Sequence, residues 1–394
     1  MGGPCTGAGL REVAQAFSGP QLPMAGDLPE YIVAQHGAAL LKLFLQFHHT
    51  ILEARNPALV AFLEQAAQED ITFGTCWRPS FGLLETYLQQ GVTDPATLER
   101  LAVSLAWDLA ITGSRGSWSS SVAPMNALLA DERLLPPAQR LAVDTDGDTL
   151  QVNLDGQPLD FTLPLKAGSE DRADIPAGIY PRVDGALLLT GGMERSYSYR
   201  EIAKSVLPES DIGQAVEKHR EGMALLRRYA PEYARWVSRV VHSVIPLQNG
   251  NGRINSGSSR SEPGVIHATI DCGAEGYAEM LVHEATHQYY YILRRMGALE
   301  DGSDPTLYYS PVKQTGRPIA MILLAYHAFA NVVLMGRRIS AAGYSNARRY
   351  FPQNDDFLMP ILQQLREGLV TTTALTELGT ALWEPLDLQL GGGA

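Results

Sequence analysis

Apolar residues in the first third of the chain recur at helical spacing. Pro29 can open a helix in which Ala38, Leu40, Leu41, Leu43, Phe44 and Phe47 provide the apolar positions, and further helices are predicted over 57–68, 80–90 and 95–110. The pattern then breaks. Gly113, Ser114, Gly116, Ser117 and Ser119 to Ser121 make 112–122 read as a linker or mobile loop. Period-2 alternation follows over 149–165, where Leu150, Val152 and Leu154 precede the Asp155-Gly156 turn and Leu159, Phe161 and Leu163 follow it, which predicts a hairpin. A short strand is expected over 186–190. From Ile212 the helical period returns through 223–228 and then 231–244. A Gly/Asn/Ser-rich loop at 249–261 leads into a predicted strand at 265–270 and a helix beyond it. After Gly297 a loop is expected over 301–316; Pro318 opens a strongly apolar helix, and helices at 357–368 and near 373–382 complete the pattern. The fold class expected is α+β, predominantly helical, with an N-terminal helical region (1–111), a linker and small β-rich region (112–200), and a third region (201–394).

Composition narrows the function. The 394 residues are 45% hydrophobic and 19% charged, ordinary values for a globular enzyme. With 31 basic against 43 acidic residues the net charge is −12, which argues against a nucleic-acid partner, because phosphate binding needs a basic footprint. Cys5, Cys76 and Cys272 are odd in number and far apart, as expected of reduced thiols in a cytoplasmic protein. No signal peptide is evident. Met1-Gly2 with Thr6 formally fits a myristoylation pattern, but no polybasic patch accompanies it, so these residues read as an irregular start. The longest apolar run, 318–335, approaches bilayer length but contains His327 and Asn331, so it reads as a buried core helix and no membrane partner is expected.

One stretch names a chemistry: His283-Glu284-Ala285-Thr286-His287. Residues four apart on a helix lie one turn apart on the same face, so both imidazoles can reach one metal ion with Glu284 beside them. Asp271 can cap this helix, Glu275 suits its first turn, Arg294 and Arg295 suit its last, and Gly297 supplies a stop. Ala278, Leu281, Val282, Ala285 and Tyr289 give it a buried side. By contrast, His48 and His49 are adjacent on a helix and diverge by about 100°, so they cannot share a small site.

A catalytic metal normally has three protein ligands. His327 is the candidate third ligand, as the one histidine beyond His287, and Asn331 one turn later could orient it. Glu300, Glu367, Glu377 and Glu384 are the competing carboxylates. The pattern HExxHxxGxxH is absent, since Tyr290 and Leu293 stand where it needs glycine and histidine.

Several further pieces occur in order: Glu262-Pro263-Gly264-Val265-Ile266 before the helix, Ala278 to His287 within it, then Tyr308-Tyr309-Ser310-Pro311, Gly316-Arg317-Pro318-Ile319, and Ala325-Tyr326-His327-Ala328-Phe329-Ala330-Asn331-Val332. This order resembles the HExxH-motif peptide-modifying proteins, also called α-ketoglutarate–HExxH peptide β-hydroxylases. The resemblance covers about a fifth of the chain. It implies a zincin-like HExxH core that makes 201–394 the metal-binding catalytic region, and an Fe(II)- and 2-oxoglutarate-dependent oxidoreductase that hydroxylates an aspartate or histidine β-carbon in a ribosomally made precursor peptide. Under it, His283, His287 and His327 would hold the iron. Arg317, with Lys313, Tyr309 and Ser310 as secondary candidates, would receive the cosubstrate carboxylate. The competing reading of the same residues is a zinc peptidase in which Glu284 is the general base; a third is a metal-stabilised peptide-binding module. A peptide substrate is expected to pair with the 265–270 strand, which includes His267, and Arg253 and Arg260 would meet its acidic positions.

Overall fold

The computed structural model describes residues 7–21, 27–124, 129–130, 133–136, 138–162, 180–190, 206–248, 255–344 and 350–392. The chain opens with α1 (Gly7–Ala16) and continues through α2 (Leu28–Glu53), α3 (Pro57–Ala66), α4 (Phe73–Cys76), α5 (Pro79–Gln90) and α6 (Pro95–Ile111). Proline stands in the first turn of α2, α3, α5 and α6, where its missing N–H costs nothing. Asn56 and Asp94 cap α3 and α6 by accepting the amides of Leu59 (3.1 Å) and Thr97 (2.8 Å). Gly91, at φ 63°, ends α5. All four helices expected in this region are present; α1 and the single turn α4 carry no such pattern.

The segment 112–122 is not a linker. Gly116–Ser120 is a strand, β1, with Trp118 and Ser120 buried and Ser117 and Ser119 facing water. Its alternation is spelled almost wholly in serine, and so was hidden from a hydrophobicity pattern. Trp118 seats it against Phe62 of α3, ring centroids 6.2 Å apart. β2 (Leu129–Ala130) and β3 (Arg133–Leu134) form a separate ribbon. β4 (Leu141–Thr145), β5 (Thr149–Leu154) and β6 (Gln157–Thr162) complete an antiparallel sheet in the order β1-β4-β5-β6. The β5–β6 turn has Asp155 at φ 52° and Gly156 at φ 89°, the positive pair that a two-residue hairpin requires. Residues 163–165 of the expected hairpin lie outside the described residues, as do 1–6.

The second sheet runs β10-β11-β9-β8-β7. Its strands are β7 (Arg182–Val183), β8 (Ala186–Leu188), β9 (Ser243–Leu247), β10 (Ser256–Ser258) and β11 (Val265–Thr269). Between β8 and β9 come α7 (Ile212–Tyr229) and α8 (Pro231–Val240). The helix expected to reach residue 244 stops at Val240; Val241 is already extended, and Val244 and Ile245, both β-branched, sit in the buried parallel strand β9. Within 249–261, expected as loop, Ser256–Ser258 is β10; 249–254 lie outside the described residues.

The remaining elements are α9 (Ala274–Leu293), the hairpin β12 (Tyr308–Ser310) and β13 (Thr315–Arg317), α10 (Ile319–Ala341), α11 (Tyr350–Thr371) and α12 (Glu377–Leu390). The hairpin occupies a stretch expected to be loop. α9 begins after Gly273 rather than at Asp271 and has no side-chain cap. α10 is long and apolar enough to cross a membrane, but its apolar surface is mostly buried between α9, α11 and α12. The result is a mainly helical α+β protein. One apolar core draws residues from Ala14 to Leu386, and a smaller one lies around Tyr180, Leu187, Leu189, Ile245, Leu247 and Val265. Cys76 is buried, Cys272 is half-buried, and both are free thiols.

A buried charge cluster ties the N-terminal helices to α9. Glu85 of α5, only 4% exposed, bonds Arg260 and stands 3.7 Å from both Arg295 and His36. The Arg295 guanidinium also lies 4.9 Å from the Trp77 ring centroid. Burial raises the pKa of Glu85, but the His36 ring and the charges of Arg295 and Arg260 outweigh it and leave it at about 2. Glu85→Gln should therefore cost about 3–5 kcal/mol near neutral pH, since it leaves the buried Arg295 guanidinium uncompensated and frees the half-exposed Arg260. The folded value lies below the unfolded value of about 4.3, so this stability is complete above the unfolded pKa and lost as pH falls through about 2. In urea titrations the gap between wild type and variant should narrow steadily from about pH 6 towards pH 2. A gap independent of pH would show that Glu85 is not held ionised by this cluster.

Candidate metal centre

β11 runs into α9, and Gln288 fixes the junction: its Oε1 accepts the Gly264 amide (3.2 Å) and its Nε2 donates to the Val265 carbonyl (3.4 Å). Behind the helix, Tyr289 stacks on Trp236 with ring centroids 3.5 Å apart and donates to the Trp236 carbonyl. Helical spacing then brings His283, Glu284 and His287 to one place. Ligand atoms of these three residues lie within 4.8 Å of one another, the grouping able to hold a metal ion among the described residues. The two imidazole rings stand nearly perpendicular, 82° apart with centroids 4.7 Å apart, and Phe329 of α10 meets His283 edge-on at 4.9 Å.

Burial lowers the pKa of His283, against the opposing charge of Glu284. It lowers that of His287 further, helped by the neighbouring charges of His283 and His327. Both rings are thus neutral near pH 7, the form whose lone pair binds metal. Glu284 is 2% exposed and accepts two hydroxyls, Ser256 Oγ at Oε1 and Ser258 Oγ at Oε2, each 2.7 Å. Both serines lie on β10, where alternate residues share a face. No motif pointed to them; the period-2 repeat Ser-Gly-Ser was the available signal, submerged in a Gly/Ser-rich loop. Tyr291, one turn beyond His287, is a second residue that no motif marked. Its hydroxyl is pushed up to about 12 by burial and by the Glu284 charge.

The other expected site residues fall elsewhere. His327 is fully buried on α10 and is not part of the group; its Nε2 bonds the carbonyls of Phe17 (2.9 Å) and Ser18 (3.0 Å). Asn331 does not hold the His327 ring. Its Nδ2 donates to the carbonyls of Ser18 (2.7 Å) and His327 (3.0 Å). Glu300 faces Arg294 at 3.8 Å, Glu384 is paired with Arg11, and neither Glu367 nor Glu377 joins the group. Arg317, Lys313 and Tyr309 lie on the β12–β13 hairpin, with Tyr309 56% exposed, Lys313 exposed and Arg317 half-buried.

The strand expected to receive a peptide is not free to do so. β11 is already paired on both edges, with β10 antiparallel and β9 parallel, and all five of its residues are buried, as in the middle of a sheet. Its His267 is buried beneath Gly257, where a Cβ would come within 2.4 Å of the ring. Among the described residues β10 is the edge strand, beside Glu284. Arg260 is committed to Glu85, and Arg253 lies outside the described residues. His48 packs on Phe44 and His49 faces Glu64 at 3.2 Å, both apart from the centre. The chain matches no protein-family model and no curated protein.

The serine pair can be tested without any metal. Replacing Ser256 and Ser258 together by alanine leaves a buried carboxylate without its two hydroxyl donors, and should lower the unfolding free energy of the metal-free protein by about 2–4 kcal/mol. Either single variant should lose about half of this in chemical denaturation. An unchanged double variant would mean that Glu284 finds other partners.

Proposed function

We propose that the protein is an Fe(II)- and 2-oxoglutarate-dependent hydroxylase, built on a zincin-like core, that acts on an aspartate or histidine β-carbon of a ribosomally synthesised precursor peptide. The observation that carries this reading is the donor set. Two histidines one helical turn apart with one carboxylate beside them make the combination that non-haem iron oxygenases use while leaving coordination positions open. His283 and His287 would hold the ion through neutral ring nitrogens, with Glu284 as the carboxylate. Bound there, iron with 2-oxoglutarate would supply the oxidising chemistry that side chains lack. The motif order from Glu262 to Val332, which resembles that of the α-ketoglutarate–HExxH hydroxylases, supports the same reading.

The serines on Glu284 weigh against the zinc peptidase. A general base must accept a proton from water, whereas both oxygens of this carboxylate already accept a hydroxyl and are fixed in orientation. Arg317 is assigned to the distal carboxylate of the cosubstrate; its side chain makes no hydrogen bond or ion pair among the described residues. Lys313 and Tyr309 are outer members of the same hairpin. The peptide is assigned to the edge of β10 that no described strand covers, where backbone pairing would bring it past Glu284.

Protein supplied with Fe(II), ascorbate, 2-oxoglutarate and an acceptor precursor peptide should release succinate and raise the peptide mass by about 16 Da without cleavage. His283→Ala and His287→Ala should each abolish both products. Arg317→Ala should raise the KM for 2-oxoglutarate at least tenfold, the loss of about one charge-assisted bond. Peptide fragments formed with zinc, independent of 2-oxoglutarate and absent in Glu284→Gln, would establish the peptidase instead.

A further inference from the structure

α10 is a core helix with one apolar stripe left partly open. Most of its apolar side chains are buried, yet Phe329, Ala325 and Met321, each one turn from the next, are only half-buried. The part of a core helix that meets water is normally polar. The stripe is also confined. Val333, its next member, is 3% exposed, and one turn before Met321 the chain is already in β13 at Arg317.

This stripe borders the metal centre. The Phe329 ring meets the His283 ring edge-on, with centroids 4.9 Å apart and planes at 66°. Two turns beyond His283, Tyr290 Oη donates to the carbonyl of Ala320 (3.1 Å), which precedes Phe329, so α9 and α10 run antiparallel. Passing along α9 from His283 to His287 and Tyr291 is therefore passing along α10 from Phe329 towards Met321. Those three α9 side chains are half-buried too. The two helices thus turn adjoining faces to one cleft, polar on α9 and apolar on α10. β10 reaches the centre from the Glu284 side, and α10 reaches it from the His283 side. From Phe329 to Met321 the row is about 12 Å long, the length of three to four extended residues.

Ligand sites join a few polar or metal groups, which fix orientation, to apolar walls that take up the rest of the ligand. We propose that Phe329, continued by Ala325 and Met321, is a specificity-determining wall of the centre and receives an apolar side chain of the peptide, close to the residue that is modified. Phe329 supplies the surface beside the ion, Ala325 leaves room, and Met321 adapts to what is bound. A polar side chain laid here would lose water and gain no partner from the row. The assignment rests on the reading that His283 and His287 bind an ion, and it holds for whichever reaction that ion performs.

An alkyl hydroxamate is a suitable probe, because its head chelates the ion and its chain lies beside it. Protein loaded with Co(II) should change its visible absorption on binding acetohydroxamate and hexanohydroxamate, and the ratio of the two Kd values reads the wall. A methylene taken fully out of water is worth about fourfold in affinity; against a single wall about twofold is expected, so the four extra methylenes should tighten binding about 10–20-fold. In Phe329→Ser the ratio should fall below about threefold. Leu388→Ser, at a 68% exposed position on α12, should keep the wild-type ratio. A wild-type ratio below about threefold, or a large ratio that survives Phe329→Ser, would overturn the proposal. So would Phe329→Ser weakening the binding of 2-oxoglutarate to the Co(II) protein, which would give the wall to the cosubstrate. Should the variant fail to fold, the wild-type ratio still decides. Failure to bind cobalt, or cobalt bound equally well by His283→Ala, would overturn the metal reading and the wall with it, a result distinct from a flat dependence on chain length.

Discussion

α9 is a polar helix in a dry place, and every polar side chain facing the interior has to be matched. Glu275 receives Tyr344 Oη at 3.0 Å, and Glu279 receives Tyr350 Oη and Asn354 Nδ2, each at 2.8 Å. Glu284 is met by Ser256 and Ser258, and Gln288 by the backbone of Gly264 and Val265. His283 and His287 are the members of this row for which the described residues provide no hydrogen bond. In an interior where unmatched polar groups are expensive, two adjacent neutral imidazoles left open are a standing invitation to a cation. The site is thus the gap that remains when the rest of the helix has been paired.

The pairing is supplied from outside α9, which explains why so much of the chain converges on it. β10 carries the serines but is only three residues long, so something else must hold it at its place. The turn after it is pressed directly onto α5. A Cβ on Gly82 would come 2.3 Å from the Ser261 carbonyl, and Glu85 one turn along holds Arg260. The same carboxylate faces Arg295, just past the end of α9. One buried anion therefore fixes the strand on one side of Glu284 and the end of the helix that carries it, which gives the N-terminal helices a part in the geometry of the centre.

What was legible in the sequence divides along the same line. Local signals told the truth: the prolines that open α2, α3, α5 and α6, the Asp155-Gly156 turn, and the i, i+4 histidines all act within a few residues. Elements whose identity depends on partners did not announce themselves. β1 and β10 are written in serine and glycine and become strands because a neighbouring strand accepts them. β9 begins inside what read as a helix, and β11 showed itself as a strand without showing that both its edges would be filled. His327 was conspicuous for being polar in an apolar run, but its partners lie some 310 residues away in sequence.

That long-range contact bears on the choice of chemistry. A ligand histidine needs one nitrogen on the ion and the other held, and the held nitrogen sets how firmly the ring keeps its angle. A carboxylate ligand needs the same treatment, and Glu284 has it from two hydroxyls on a strand that α5 holds in place. A hydrolytic base works by gaining and losing a proton within each turnover, which is easier for a carboxylate with a free oxygen. A ligand to an ion that must also admit a cosubstrate and an oxidant works by not moving. The clamps on Glu284 are those of a group meant to stay where it is, and that is the physical reason for placing it among the ligands rather than among the bases.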